Sequence, residues 1–310
     1  MSALVCGSIA YDTVMVFPGR FRDHILPDRI HMLNVAFLVP SMKRNFGGCA
    51  GNIAYNLGLL GGQGAPMATV GHDFGPYRRW MENTGVRMDK VQVLEDEFTA
   101  QAFITTDLDD NQITAFHPGA MGRSHVNRVP DDGSVTFGVV APDGRDGMVQ
   151  HADQFAAAGI PWIFDPGQGL PMFDGPDLLS FVSKATWVAV NDYEGQMLSE
   201  RTGLGLAEIA RKVKALIVTK GAQGSVIYAE GREISIPTAR PSAVTDPTGC
   251  GDAYRAGLIY GLMNRFDWET TGRIASLMGA LKIAHAGTQN HRFAMDQFRG
   301  EFRAAFGRSL

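Results

Sequence analysis

Short apolar runs without polar alternation recur along the chain, each trailed by a segment of helical periodicity, and few architectures accommodate both. A strand apolar at every position is buried on both faces, as in a parallel sheet covered by helices on each side. Such runs fall at residues 3–9, 66–70, 135–140, 162–165, 187–190 and 215–219. Helical spacing follows at 50–60, 74–83, 147–158, 193–200, 249–263 and 270–286. The expected fold is α/β, a doubly wound, mostly parallel sheet. With 310 residues, 45% of them hydrophobic, there is material for one large core, and residues 1–310 read as a single domain.

Three stretches do not fit that layer. Residues 11–18 ("YDTVMVFP"), 31–40 ("HMLNVAFLVP") and 98–118 ("FTAQAFITTDLDDNQITAFHP") look like strands of a separate small sheet. The last would be a hairpin turning at Asp109-Asp110-Asn111. Because these strands leave the main fold at separate points, a β lid over one end of the sheet is expected. Its apolar side chains also make a homodimer through the lid an expectation.

A net charge of −4 gives no basic footprint for nucleic acid. No apolar run is long enough to span a membrane, and the N-terminus lacks a signal-peptide pattern. Three cysteines and eight histidines show no metal-ligand spacing. A cytoplasmic protein acting on a small molecule is the expectation.

"DPTGCGDAYRAG", Asp246 to Gly257, runs from two glycines straight into a helical pattern. Bare N–H groups at a helix start attract an anion. An acid beside an anion site makes sense if it takes the proton from something attacking a phosphate, which points to phosphoryl transfer with Asp252 as base. Asp252 as a helix cap is the competing reading. In "NFGGCAGNIAYNLGLLGG", Gly47 and Gly48 would let a ligand approach the backbone, and Asn52 offers a donor and an acceptor; a tight strand-to-helix turn explains the same residues. Asp12 follows the first strand at its carboxyl end, where open α/β sheets bind ligands, or is a surface turn acid. In "NDYEG", Asn191 and Glu194 suit Mg²⁺ held through water, and equally a capping box. "VTKGAQGS", with Thr219 and Gly221, could contact a nucleotide or be an ordinary hairpin. "DPGQ" at Asp165 and "HAGTQNH" at His285 are unspecific on their own.

Together, and in this order, "FGGCAGNIAYNLGLLG", "VGHDFGPYRRWMENTGV", "NDYE", "VTKGAQGS" and "DPTGCGDAYRAG" resemble the ribokinase (PfkB) family of carbohydrate kinases over nearly the whole chain. The resemblance implies Asp252 as general base, with N–H groups of Gly249, Cys250 and Gly251 as the anion hole. It implies Asp12, Gly47, Gly48 and Asn52 on the sugar hydroxyls. Asn191 and Glu194 would organise Mg²⁺ through water, and Thr219 and Gly221 would line the ATP site. Asp246 and Thr248 match the family's K⁺ loop. Pro247 stands where Thr is frequent, and Arg255 where many sugar kinases carry a neutral residue.

The acceptor is expected to be a purine nucleoside. Met15, Phe17, Leu33, Phe37, Phe103 and Phe116 in the lid segments could sandwich a purine, with Phe103 named as a substrate contact. "GGCAGNIAYNL" also resembles adenosine-kinase-like members of the family. Ribose, fructose or a related sugar is the alternative, and a non-catalytic sensor on the same scaffold the more distant one. A NAD-dependent dehydrogenase lacks its glycine fingerprint after the first strand.

Overall fold

The computed structural model describes residues 2–25, 32 and 34–310. Its strands are β1 (Ala3–Cys6), β2 (Ala10–Val16), β3 (Ser41–Gly47), β4 (Gly64–Gly71), β5 (Val91–Leu94), β6 (Ala100–Thr106), β7 (Gln112–His117), β8 (Phe137–Val140), β9 (Trp162–Phe164), β10 (Trp187–Asn191), β11 (Ala215–Thr219), β12 (Ser225–Ala229) and β13 (Arg232–Ile236). The helices are α1 (Cys49–Leu59), α2 (Gly75–Asn83), α3 (Arg145–Ala157), α4 (Gly175–Lys184), α5 (Asp192–Thr202), α6 (Leu206–Ala210), α7 (Cys250–Met263), α8 (Trp268–Ile283) and α9 (Met295–Phe306).

Nine strands form one sheet in the order β13-β12-β11-β10-β9-β8-β1-β4-β5, parallel except for the β11–β12–β13 edge. Alternate residues of the same strand enter different cores. Leu4, Cys6, Val188, Val190, Leu216 and Val218 pack under Met148 and Phe155 of α3 and Phe181 of α4. Ala3, Val5, Ala189, Ala215 and Ile217 pack under Ile53 of α1 and Leu258 and Ile259 of α7. Both faces are thus covered, which is why the runs carry no polar alternation.

The lid is a four-stranded sheet in the order β3-β2-β6-β7. The hairpin β6–β7 forms as expected, closing between Thr106 and Gln112. The expected lid strand at 31–40 is corrected: residues 31 and 33 lie outside the described ones, 34–40 are irregular, and the strand is β3 instead. Its Lys43, Arg44 and Asn45 hid it from a search for apolar runs. As an edge strand, paired among the described residues with β2 alone, it tolerates and is protected by such charges. The β12–β13 hairpin also escaped notice, although its two-residue turn, Glu230-Gly231, has positive φ at both positions as a type I′ turn requires. Helix α4 starts where Asp174 accepts the Asp177 N–H at 2.9 Å.

Candidate active site

The chain proceeds from β1 outward to β4 and β5, then returns to the other side of β1 as β8. Ligands bind at such a reversal, outside the carboxyl ends of the strands. There the lid overhangs a cavity of about 630 Å³, within the range of small-molecule sites. Asp12, Gly48, Asn52, Asp246, Thr248, Gly249 and Asp252, far apart in sequence, all line it.

Two adjacent glycines let β3 turn into α1 against the base of β2. Gly48 has φ +86, and a Cβ there would lie 2.6 Å from the Ala10 nitrogen and the Ser8 oxygen. A side chain on Gly47 would collide with the Asp12 carboxylate. The turn thus brings Asn52, on the first turns of α1, to Asp252 on the first turn of α7: Asn52 Nδ2 donates to Asp252 Oδ2 at 2.7 Å. Asn52 Oδ1 in turn accepts from Gln289 Nε2 at 3.0 Å, and Gln289 Oε1 accepts from Trp80 Nε1 at 2.9 Å. Asn52, expected on the sugar, thus donates its amide N–H to the Asp252 carboxylate while its amide oxygen is held by Gln289. Gln289 was hidden inside an ambiguous loop segment.

Burial pushes the Asp252 carboxyl up to about 7. The Asn52 hydrogen bond opposes that rise, Asp165 adds to it, and Arg255 counters it. A carboxyl poised there exchanges a proton near neutral pH, as a general base should. Burial, and after it the charge of Asp246, lifts Asp12 to about 6. Asp12 lies opposite Asn45 on β3 and Ala102 on β6 and faces the cavity with both.

Gly249 caps α7 in the left-handed region. The N–H groups of Gly249, Gly251 and Asp252 make no hydrogen bond among the described residues and form the open end of the helix. Cys250 differs from expectation, because its N–H is turned onto the Pro247 carbonyl at 3.1 Å.

Asn191 and Thr219 are register partners at the carboxyl ends of β10 and β11, with Gly221 two residues further on. They sit on the same sheet edge as the cavity but outside its lining. Asn191 and Glu194 form the capping box in full: Glu194 N–H donates to Asn191 Oδ1 at 2.7 Å, and Glu194 Oε2 and Oε1 accept from Asn191 N and Nδ2, each at 2.8 Å. Each carboxylate oxygen retains a further lone pair, so the fixed Glu194 fits a metal held through water. Burial raises its pKa, while Arg255 acts in the opposite sense.

Phe103 is corrected. It registers with Thr13 and Ala115, one residue out of phase with the cavity-facing Asp12, Ala102 and Phe116, so it lies on the outer face of the lid. Phe17 and Phe37 pack on Phe21 and His24 instead of the cavity. Leu33 lies outside the described residues. Of the six lid side chains, Phe116 lines the cavity. Arg255 forms an interior ion pair. It is buried, with Nη2 3.0 Å from Asp165 Oδ1.

Residues 11–293 match the pfkB family carbohydrate kinase. The chain belongs to that family. A nucleoside kinase from Methanocaldococcus jannaschii is 31% identical over 260 residues, covering 83% of this chain and 85% of that protein. The Burkholderia thailandensis nucleoside kinase, solved in complex with inosine, is 52% identical with a TM-score of 0.90 over 99% of each chain. An Arabidopsis thaliana ribokinase solved with ribose and ATP shares the fold, with a TM-score of 0.77 at 18% identity. The protein is an ATP-dependent kinase of ribokinase-like fold.

The family's K⁺ loop does not fit here. The Asp246 carbonyl accepts a hydrogen bond from Lys282 Nζ at 2.6 Å, and that ammonium stands 3.9 Å from Asp246 Oδ1. An ammonium and a potassium ion on one oxygen compete for it and repel each other.

Proposed function

We propose that this kinase transfers the γ-phosphoryl group of ATP to the 5′-hydroxyl of a purine nucleoside. The observation that carries the reading is the mixed lining of the cavity. Asp12, Asn45, Asp246, Thr248, Asp252 and Thr288 supply polar groups, and Val14, Ala102, Ile104, Phe116, Met121 and Met172 supply apolar surface. Phe116 is 53% and Met172 42% exposed, although both face the cavity. A ribose uses the polar groups and leaves the apolar side chains wet, whereas an attached purine covers them and removes their surface from water. The inosine complex of the Burkholderia thailandensis relative supports the same choice.

In this reading Asp12 and Asn45 hold the ribose and Asp252 accepts the proton of the attacking hydroxyl. The N–H groups of Gly249, Gly251 and Asp252 meet the charge that develops on the transferred group. Thr219 and Gly221 line the nucleotide site, and Asn191 and Glu194 hold Mg²⁺ through water. Mg²⁺, when bound, supplies neutralisation of the phosphate oxygens. The lid, closing over the acceptor, excludes water that would otherwise hydrolyse ATP.

Acceptor-dependent ADP release with inosine, adenosine, guanosine, ribose and fructose tests the reading. The nucleosides are expected to turn over at least tenfold more efficiently than the sugars in kcat/KM. Efficient turnover of ribose or fructose with none on nucleosides would overturn the acceptor while leaving the chemistry.

The outer face of the lid fits a second copy of the chain. Met42, Met15, Thr105 and Ile113 form one register row across all four strands, and Phe103 lies in the adjacent row. Met42 is 67%, Ile113 45% and Phe103 40% exposed, a patch that a two-fold related sheet would cover. Light scattering on the eluted protein should give twice the 33.6 kDa chain mass, and Phe103→Glu should shift it to the monomer. A monomeric wild type at micromolar concentration contradicts this. All three cysteines, Cys6, Cys49 and Cys250, are free, and no described helix is long and apolar enough to cross a membrane; a reducing cytoplasm accommodates both features.

A further inference from the structure

Lys282 is the anomaly of α8. Its residue is fully buried among Leu277, Met278 and Ala280 of the same helix, in the run "LMGALKIA", where an apolar residue would be expected. A buried ammonium without compensating partners is strongly disfavoured. The partners here are the carbonyl of Asp246, 2.6 Å away, and its carboxylate, 3.9 Å away.

The loop it grips leads into the anion hole. Thr245 and Asp246 N–H groups donate to the Ile283 carbonyl at 2.8 and 3.1 Å, and Thr245 Oγ1 to that of Ala284 at 3.1 Å. Asp246 Oδ2 accepts the Gly287 N–H at 2.7 Å and Oδ1 that of Thr248 at 2.9 Å. All of these bonds but the one from Thr248, which is internal to the loop, tie the segment before Gly249 to the end of α8 or the residues just after it, and Lys282 adds the positive charge. Burial lowers the Lys282 pKa from its usual value while Asp246, Cys250 and Asp252 oppose the shift. These are the charged and titratable groups it faces from α7 and its leading loop.

We propose that the Lys282 ammonium takes the place of a monovalent cation in this kinase, fixing the Asp246 loop beneath the start of α7, so that phosphoryl transfer proceeds without K⁺. Lys282 is a positioning residue in this account. It lies outside the lining of the cavity, and it acts through the carbonyl of Asp246 and the helix start three residues later. A covalently tethered cation also removes the dependence of loop geometry on the salt in solution. The inference rests on the kinase activity but not on which acceptor is used.

The test compares ADP formation in KCl, NaCl and tetramethylammonium chloride at equal ionic strength, with the acceptor that gives the highest turnover. Wild-type kcat is expected to agree within about twofold across the three salts; tenfold activation by K⁺ would overturn the proposal. Lys282→Ala opens space at Asp246. It is expected to lose at least tenfold in tetramethylammonium and to regain part of the loss in K⁺, a cation-specific rescue that simple core damage would not give. A Lys282→Ala enzyme as active as wild type in tetramethylammonium would overturn the idea.

Wild-type crystals soaked in thallium provide a readout independent of turnover and of the variant's folding. No anomalous peak at the Asp246 carbonyl is expected, and a peak there would overturn the assignment. Absence of turnover with every acceptor would count against the nucleoside reading alone, since the thallium experiment needs no acceptor.

Discussion

Replacing Asp252 by Asn is expected to lower kcat by about 10²–10⁴-fold with little change in KM for either substrate. The amide oxygen still accepts the Asn52 Nδ2 hydrogen bond that now reaches Asp252 Oδ2 at 2.7 Å, so the geometry of the first turn of α7 survives. What disappears is the affinity for a proton. The wild-type pH profile tests the same assignment. Because burial lifts the Asp252 carboxyl to about 7, the base is protonated below that pH and free above it. kcat/KM should therefore fall about tenfold per unit as pH drops below 7 and level off above it, and the variant should lack this limb. A near-wild-type kcat in the variant would remove Asp252 from the role of base.

The parts of this site legible in the sequence are those whose local pattern reports on their own backbone. Gly47-Gly48 and Gly249 announce turns because the turn itself requires them. Asp252 is conspicuous because an acid sits beside bare N–H groups. The sheet was readable because both faces of β1, β10 and β11 are covered, leaving unbroken apolar runs. What stayed hidden depends on pairing across the chain. The face on which Phe103 lies is fixed by its register with Thr13, ninety residues earlier, and a one-residue phase change exchanges cavity for exterior. Gln289 reaches Asn52 from 237 residues away, and nothing local to "HAGTQNH" predicts that contact. Lys282 did leave a trace, a charge at a core position of a helix, which marks a buried partner without naming it.

Arg255 left the same kind of trace, and its removal is expected to have the largest effect on stability. Its guanidinium and the Asp165 carboxylate are each 6% exposed and 3.0 Å apart. Truncating one member of such a pair leaves the other charged and dry, so Arg255→Met should lower the unfolding free energy by about 3–5 kcal/mol in urea titrations. Combining it with Asp165→Asn should recover most of that loss, because neither buried charge remains. A single variant as stable as wild type would mean that water or another group already neutralises Asp165. Stability alone does not explain why the pair is there, since Arg255 Nε and Nη1 find no acceptor among the described residues. Its position does. Arg255 lies three residues after Asp252 on α7, and it lowers the pKa of both Asp252 and Glu194 while Asp165 raises them. The acid limb of the rate profile should consequently move to higher pH in Arg255→Met and to lower pH in Asp165→Asn. Opposite shifts from the two ends of one ion pair would separate an electrostatic setting of the base from simple loss of packing.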